Sequence, residues 1–280
     1  MPKFAEYSDR DLFYHHTLDE APDPNDFTMH NHSSYEIYYF ISGRGCFYIE
    51  GNEYPLQSGY LLIMRGSEAH YIAVKPDAAY ERFALHFDRS LVYAVDGEGL
   101  LLEPFDARAT GRGNLFTQKD FKDGLYLALL QNIMSAPPEN RRLQALSNLF
   151  ALLNEIRRAH LRAKTRAVPE SESLAQSVIG YINANLSRPI SLDGICKRFY
   201  ISKAQLCRLF KKTAGASVWE YVTAKRLSAA RKMLQSGVPA TSAFGQCGFA
   251  DYSAFYRAYV KRFGCAPSQT RRDGLKADEE

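Results

Sequence analysis

Two groups of residues in this chain have side chains whose type and spacing suit chemistry. The first lies near the N-terminus: His30, His32 and Glu36, with His70 further along. Imidazole and carboxylate are the donors that hold Zn, Ni, Mn or Fe, and the same atoms hydrogen-bond organic ligands. Strand periodicity adds candidates, because alternate side chains share a face. If Glu36 points inward, so do Tyr38 and Phe40; if Arg82 points inward, so do Ala84 and His86. A pocket with Tyr38, Arg82 and His86 suits a sugar or a carboxylate, with aromatic rings packing its apolar side. Pairing of Arg82 with Glu81 or Glu36, or an outward position, is the alternative.

The second group fills the last third, where one pattern occurs twice. Residues 191–212 and 243–264 each read as a short amphipathic helix, a tight break and a second helix with basic residues outside. That is the helix-turn-helix plan, whose second helix suits a DNA major groove. Charge agrees. Residues 174–276 hold 17 Lys and Arg against 4 Asp and Glu, whereas residues 1–173 hold 18 against 24. The whole-chain charge of +4 therefore hides a basic third that a phosphate backbone attracts.

The elements that must position these groups follow from patterning. Between residues 27 and 88, short runs such as Tyr35–Ile41, Cys46–Glu50, Tyr60–Met64 and Tyr80–Phe87 are separated by Gly and Asn turns. They predict an antiparallel barrel or jelly roll. Helices are expected from Asp120 to Ile133 and from Arg141 to Ala163. The second carries Leu143, Leu146, Leu149, Phe150, Leu153 and Ile156 on one face, to pack on its own barrel or on a second subunit. A polar, Pro-marked linker follows. Ser191 and Ser202 are N-caps, and Gly215 and Gly237 are helix stops. Gly194 at the third position of the first helix precludes a capping box. The connector Val218–Gln235, about 27 Å long if helical, sets two reading helices about one DNA turn apart.

The 280 residues allow two domains. The charged, mixed start gives no sign of a signal peptide, and no apolar run approaches the ~20 residues that span a bilayer. Five scattered cysteines without a Cys-x-x-Cys pair suit idle thiols in a reducing cytoplasm.

His30-x-His32-x3-Glu36-x6-Gly43 resembles the first cupin motif. Gly59 and His70 resemble part of the second, although Arg65, Ser67 and Val74 replace the usual Pro, Gly and Asn. In cupins such His and Glu residues point into the barrel, so a divalent metal on His30, His32, Glu36 and His70 is one implication; a metal-free organic site is the other. From Ser173 to Arg271 the chain resembles the AraC/XylS family of bacterial transcription regulators. Matching residues include Ile179, Tyr181, Ile182, Leu206, Arg208, Phe210, Gly215, Arg226, Leu227, Gly248, Phe249, Asp251, Phe255, Arg257, Phe263, Gly264, Pro267 and Arg271.

The resemblance implies an α+β chain: a cupin-like ligand-binding domain (1–115), a helical connector for dimerisation (116–164), a linker (165–172) and a double helix-turn-helix domain (173–273). It implies a cytoplasmic, homodimeric activator that is not an enzyme, binds promoter DNA, contacts RNA polymerase and answers a sugar-like effector. A metal-dependent cupin enzyme or metal sensor is the alternative. The implied reading residues are Ala204, Cys207 and Arg208 in the first unit, and Tyr252, Ser253, Tyr256 and Arg257 in the second. Arg208 and Arg257 are expected at base edges; Lys203, Lys211, Lys212, Lys261 and Arg262 at phosphates. Arg226 is read as a brace between the two halves. Ala243-Phe244 departs from the family's Ile-Ala, so the second unit's first helix is expected to be short or repacked.

Overall fold

A computed structural model describes residues 3–164 and 172–272; most of the expected linker, 165–171, lies outside them. Nine strands come first: β1 (Lys3–Ser8), β2 (Leu12–Asp19), β3 (Tyr35–Ser42), β4 (Gly45–Ile49), β5 (Asn52–Pro55), β6 (Leu61–Met64), β7 (His70–Val74), β8 (Tyr80–Phe87) and, beyond two short helices, β9 (Leu115–Phe116). Those helices are α1 (Arg89–Tyr93) and α2 (Glu103–Asp106). The strands form a six-stranded sheet, ordered β1-β2-β8-β3-β6-β9, and a three-stranded sheet, β5-β4-β7. All pairings are antiparallel.

Strand alternation divides the large sheet's side chains between two cores. Ile37, Ile63, Phe83 and Leu85 face a helical layer made by α3 (Leu125–Met134) and α4 (Arg141–Lys164). Tyr38, Phe40, Leu62, Met64 and Ala84 face the small sheet's Phe47, Ile49, Ile72 and Val74. The apolar face of α4 is thus used inside the protomer: Leu149, Leu153 and Ile156 are fully buried, while Leu143 stays 68% exposed. The first helix of the layer starts at Leu125, later than expected at Asp120. Gly124 stands at its N-cap, and residues 118–120 form a separate 3-10 turn closed by a Thr117–Asp120 capping box.

The C-terminal domain holds α5 (Leu174–Ala184), α6 (Leu192–Phe199), α7 (Lys203–Thr213), α8 (Val218–Gln235), α9 (Ala240–Gln246) and α10 (Tyr252–Phe263). The chain is therefore α+β. Ser191 caps α6 without a capping box; Ser202 caps α7 and does form one, with Gln205. Gly215 and Gly237 take positive φ after α7 and α8. The connector α8 serves both units: Tyr221 and Val222 join Ile195, Leu206 and Phe210, whereas Leu227, Ala230 and Leu234 join Ala243, Phe255 and Tyr259. Arg226 between them donates to Leu186 O at 2.9 Å and Arg188 O at 2.9 Å, tying α8 to the turn after α5. Among the described residues no helix is long and apolar enough to cross a membrane.

Candidate DNA interface and barrel site

Each reading helix buries one stripe and presents the other. Leu206 and Phe210 of α7 and Phe255 and Tyr259 of α10 lie in the cores. Lys203, Ala204, Cys207, Arg208, Lys211 and Lys212 are exposed on α7; Tyr252, Ser253, Tyr256, Arg257 and Lys261 are exposed on α10. The 3.6-residue period makes this split, because Leu206 and Phe210 sit four apart, as do Phe255 and Tyr259. Several of the cations already have partners. Lys203 Nζ lies 2.8 Å from Asp193, which raises its pKa, and Lys212 Nζ lies 2.9 Å from Glu53 of the barrel. Arg262, half-buried, donates to Asn31 O at 2.7 Å instead of standing free at the surface.

Between the two sheets, strand register assembles the other site. Glu36 of β3 lies directly opposite His86 of β8, Tyr38 opposite Ala84, and Phe40 opposite Arg82. Residues paired across neighbouring strands point to the same face, so the two alternating series share one face. Glu36 is buried and receives three imidazoles: His32 Nε2 at 2.9 Å, His70 Nε2 at 3.2 Å and His86 Nε2 at 4.0 Å. Burial alone would raise its pKa, but His86 and His70 outweigh it and hold the carboxyl well below its ordinary range. For His70, burial opposes the charge, yet Glu36 prevails and its pKa is raised.

The histidines are oriented from behind. His70 Nδ1 lies 2.8 Å from Glu68 O, and His32 Nδ1 lies 3.0 Å from Ser34 O. A carbonyl only accepts, so the His70 Nδ1 carries the proton; the His32 Nδ1 also lies 3.0 Å from the Ser34 hydroxyl, which can donate or accept, and Nε2 of both rings is turned on Glu36. Glu68 is itself clamped by Arg108 at 2.6 and 2.7 Å and by the Gly111 N–H at 2.7 Å. Burial would raise the Glu68 pKa, but Arg108 and these hydrogen bonds lower it. This supporting pair gave no signal in sequence, since Glu68 and Arg108 lie forty residues apart in a stretch without regular period.

Other expected members sit differently. His30 is partly exposed at the edge, its Nδ1 3.0 Å from Thr28 O. Among the described residues, the donor atoms gathered within 4.8 Å of one another are those of His32, Glu36 and His86; neither His30 nor His70 of the expected set joins them. An antiparallel bridge pairs His30 with His70, and their ring centroids lie 4.3 Å apart. The Tyr38 hydroxyl is bonded to Tyr80 at 2.6 Å, deep in the intersheet core. The Arg82 guanidinium stacks on Tyr80 at 5.0 Å and Phe27 at 5.4 Å.

Two family models match the chain: an AraC-like ligand binding domain over residues 15–167 and a helix-turn-helix domain over residues 195–273. The chain belongs to the AraC family of transcription regulators. It is similar to the Bacillus subtilis HTH-type transcriptional regulator YfiF, 25% identical over 285 residues, covering 92% of this chain and 83% of that one. It is similar to the HTH-type transcriptional activator RhaS of Pectobacterium carotovorum, 24% identical over 259 residues and covering 90% of each. Among solved structures, ToxT from Vibrio cholerae O395 aligns over 96% of this chain and 100% of that one, at 12% identity and a TM-score of 0.38. As an AraC-type regulator, this chain pairs a ligand-binding domain with a helix-turn-helix DNA-binding domain and is not an enzyme.

Proposed function

We propose that this AraC-family protein is a sequence-specific activator that binds promoter DNA through α7 and α10 and answers a small effector held between the two barrel sheets. The observation that carries the DNA reading is the split of both reading helices, with every expected base-facing residue exposed and the opposite stripe locked in a core. Arg208 and Arg257 reach guanine edges, and Lys203, Lys211, Lys212 and Lys261 steady the backbone. A sugar or related metabolite suits the barrel, where His32, Glu36, His70 and His86 offer donors and acceptors beside aromatic walls; Tyr38 and Arg82 would line its inner end and His30 its rim. Homodimerisation, contact with RNA polymerase and a cytoplasmic location belong to the same reading, and the name of the RhaS relative supports activation.

The test is binding of the full-length protein to its own upstream DNA across a salt series, with and without a panel of sugars and divalent metals. Tight, salt-dependent binding that shifts with one compound is expected. Absence of any site preference would overturn the reading.

A second reading has its own observation. Nδ1 of His70 is committed to a carbonyl and Nδ1 of His32 to the Ser34 carbonyl and hydroxyl, while three Nε2 atoms converge on one carboxylate. Either an imidazolium proton or a cation balances that arrangement, and the two nitrogens and one oxygen of His32, His86 and Glu36, gathered within 4.8 Å, suit a divalent transition metal. In this reading the effector is the metal itself. Chelator-sensitive DNA binding, with stoichiometric metal in the purified protein that is lost in Glu36→Gln, is the expected result. Metal-free protein with unchanged DNA binding would exclude it.

A further inference from the structure

The two helix-turn-helix units can be laid on one another by their own bonds. The Ile201 N–H donates to Cys196 O at 3.1 Å, and the Phe249 N–H donates to Phe244 O at 3.0 Å, so Cys196 and Phe244 hold the same place before the turn. After the turn, Ser202 caps α7 and Asp251 caps α10, each accepting from the backbone N–H three residues on. Lys203 therefore matches Tyr252, and Cys207 matches Tyr256. All four are exposed in the first turns of their helices, where a reading helix meets base edges. One unit fills these places with a cation and a small thiol; the other fills them with two phenol rings.

The rings are braced from below. Phe244 of α9 meets Tyr252 edge to face, with centroids 5.6 Å apart at 86°, and Phe255 meets it at 5.8 Å. Phe255 is fully buried and packs in turn on Phe249 at 5.2 Å and Phe244 at 6.4 Å. Tyr256 stands one turn on, 6.3 Å from Tyr252. Tyr252 and Tyr256 still leave 39% and 41% of their surface exposed. The result is an apolar platform beside the cation Arg257, set in place by an aromatic layer that runs down into the core. Rings fixed before binding lose little freedom when they bind. In the major groove, the apolar group that a base edge presents is the C5-methyl of thymine.

We propose that Tyr252 and Tyr256 read thymine through its C5-methyl group, and that Phe244 is the residue that positions Tyr252 to do so. Phe244 belongs to the Ala243-Phe244 pair at which this chain departs from the family pattern, and the departure supplies the brace. The first unit carries Cys196, Lys203 and Cys207 at the three matching places. The two half-sites are therefore read by different chemistry, with hydrogen bonds from Arg208 in one and apolar contact beside Arg257 in the other. The inference rests on the DNA-binding reading above and names a base that it recognises.

The experiment takes the site that the full chain selects from a randomised duplex library and replaces its thymines one at a time by deoxyuridine. That change removes the methyl and keeps every hydrogen-bonding group of the base. The wild type is expected to lose affinity about fourfold at the thymine that faces Tyr252, the value of one buried methyl. Tyr252→Ala should bind the two duplexes alike there, whereas Tyr252→Phe, which keeps the ring, should preserve the loss. Phe244→Ala should move the ratio toward one with Tyr252 still present, and Phe244→Leu, which refills the space, should restore it. A ratio between two duplexes does not change with the folded fraction, so plain destabilisation leaves it where it was. A selected site in which no thymine methyl matters, or in which every loss survives both Tyr252→Ala and Tyr256→Ala, would overturn the methyl reading. Disappearance of the loss in Tyr252→Phe would overturn it in favour of the hydroxyl. An unchanged ratio in Phe244→Ala would overturn the positioning role. If the library yields no preferred site, the DNA-binding reading itself falls and takes this inference with it.

Discussion

In the first helix-turn-helix unit the tight turn passes through Tyr200 at φ 54; in the second it passes through Gly248 at φ 88. Both positions are left-handed, yet their surroundings differ. Tyr200 is 95% exposed and meets nothing that a side chain would displace. A Cβ on Gly248 would stand 2.2 Å from Leu186 O and 2.9 Å from Arg226 Nε. The turn's conformation favours glycine in both units, but packing against the first unit makes it obligatory only in the second. The helix starts differ as well. Ser191 and Ser202 cap α6 and α7, whereas α9 follows Pro239 with no side-chain cap and runs seven residues. The short α9 agrees with the weakened helix expected around Ala243-Phe244.

The comparison can be broken most forcefully in the cores. Phe210→Ala and Phe255→Ala should each cost about 4 kcal/mol, since both rings are fully buried. Barrel residues Ala69 and Met29 join the core that holds Phe210 and not the one that holds Phe255. Hydrogen exchange should therefore show protection lost in the barrel for Phe210→Ala alone; equal spread from both would erase the distinction. Gly248→Ala comes next, with an expected loss of about 3 kcal/mol in chemical denaturation from strain and the clash with Leu186. A loss below about 1 kcal/mol would mean that the two turns are equivalent after all.

Arg208→Ala and Arg257→Ala should each weaken specific DNA binding by about 1–3 kcal/mol. The first should flatten base preference over its half-site further, because Ala204 and Cys207 leave little else to read, whereas Tyr252, Ser253 and Tyr256 remain beside Arg257. Selection from a randomised duplex library measures this, and a uniform loss over all sequences would assign both to phosphates. Ser202→Ala should cost about 1 kcal/mol through its lost cap. Smallest and opposite in sign, Tyr200→Gly should stabilise by roughly 0.5–1 kcal/mol by relieving the left-handed tyrosine; a lower melting temperature would show that the ring makes a contact that matters.

Much of this was legible because it is local. The caps at Ser191 and Ser202, the stops at Gly215 and Gly237 and the span of α8 all depend on neighbours within one or two turns. The Ser202–Gln205 capping box was legible too, yet only Gly194's exclusion of one in α6 was drawn from the sequence. β1 and β2 escaped because His15, His16 and Asp19 blur their alternation, and only pairing of β2 with β8 explains their place. Arg82 and Tyr38 were readable as inward; that one stacks on rings and the other bonds Tyr80 was not, since those partners lie on other strands.

By itself the sequence determined the two reading helices, their exposed faces, the polarised charge and the antiparallel strands around Glu36, because hydrophobic period and turn chemistry act over a few residues. Only the tertiary structure decided that His86 rather than His30 closes on Glu36, that Glu68 and Arg108 support His70, and that Glu50 reaches Lys225 across 175 positions. Those choices depend on strand register and domain docking. Many sequences with the same local pattern can satisfy these in different ways, so no short-range signal fixes them.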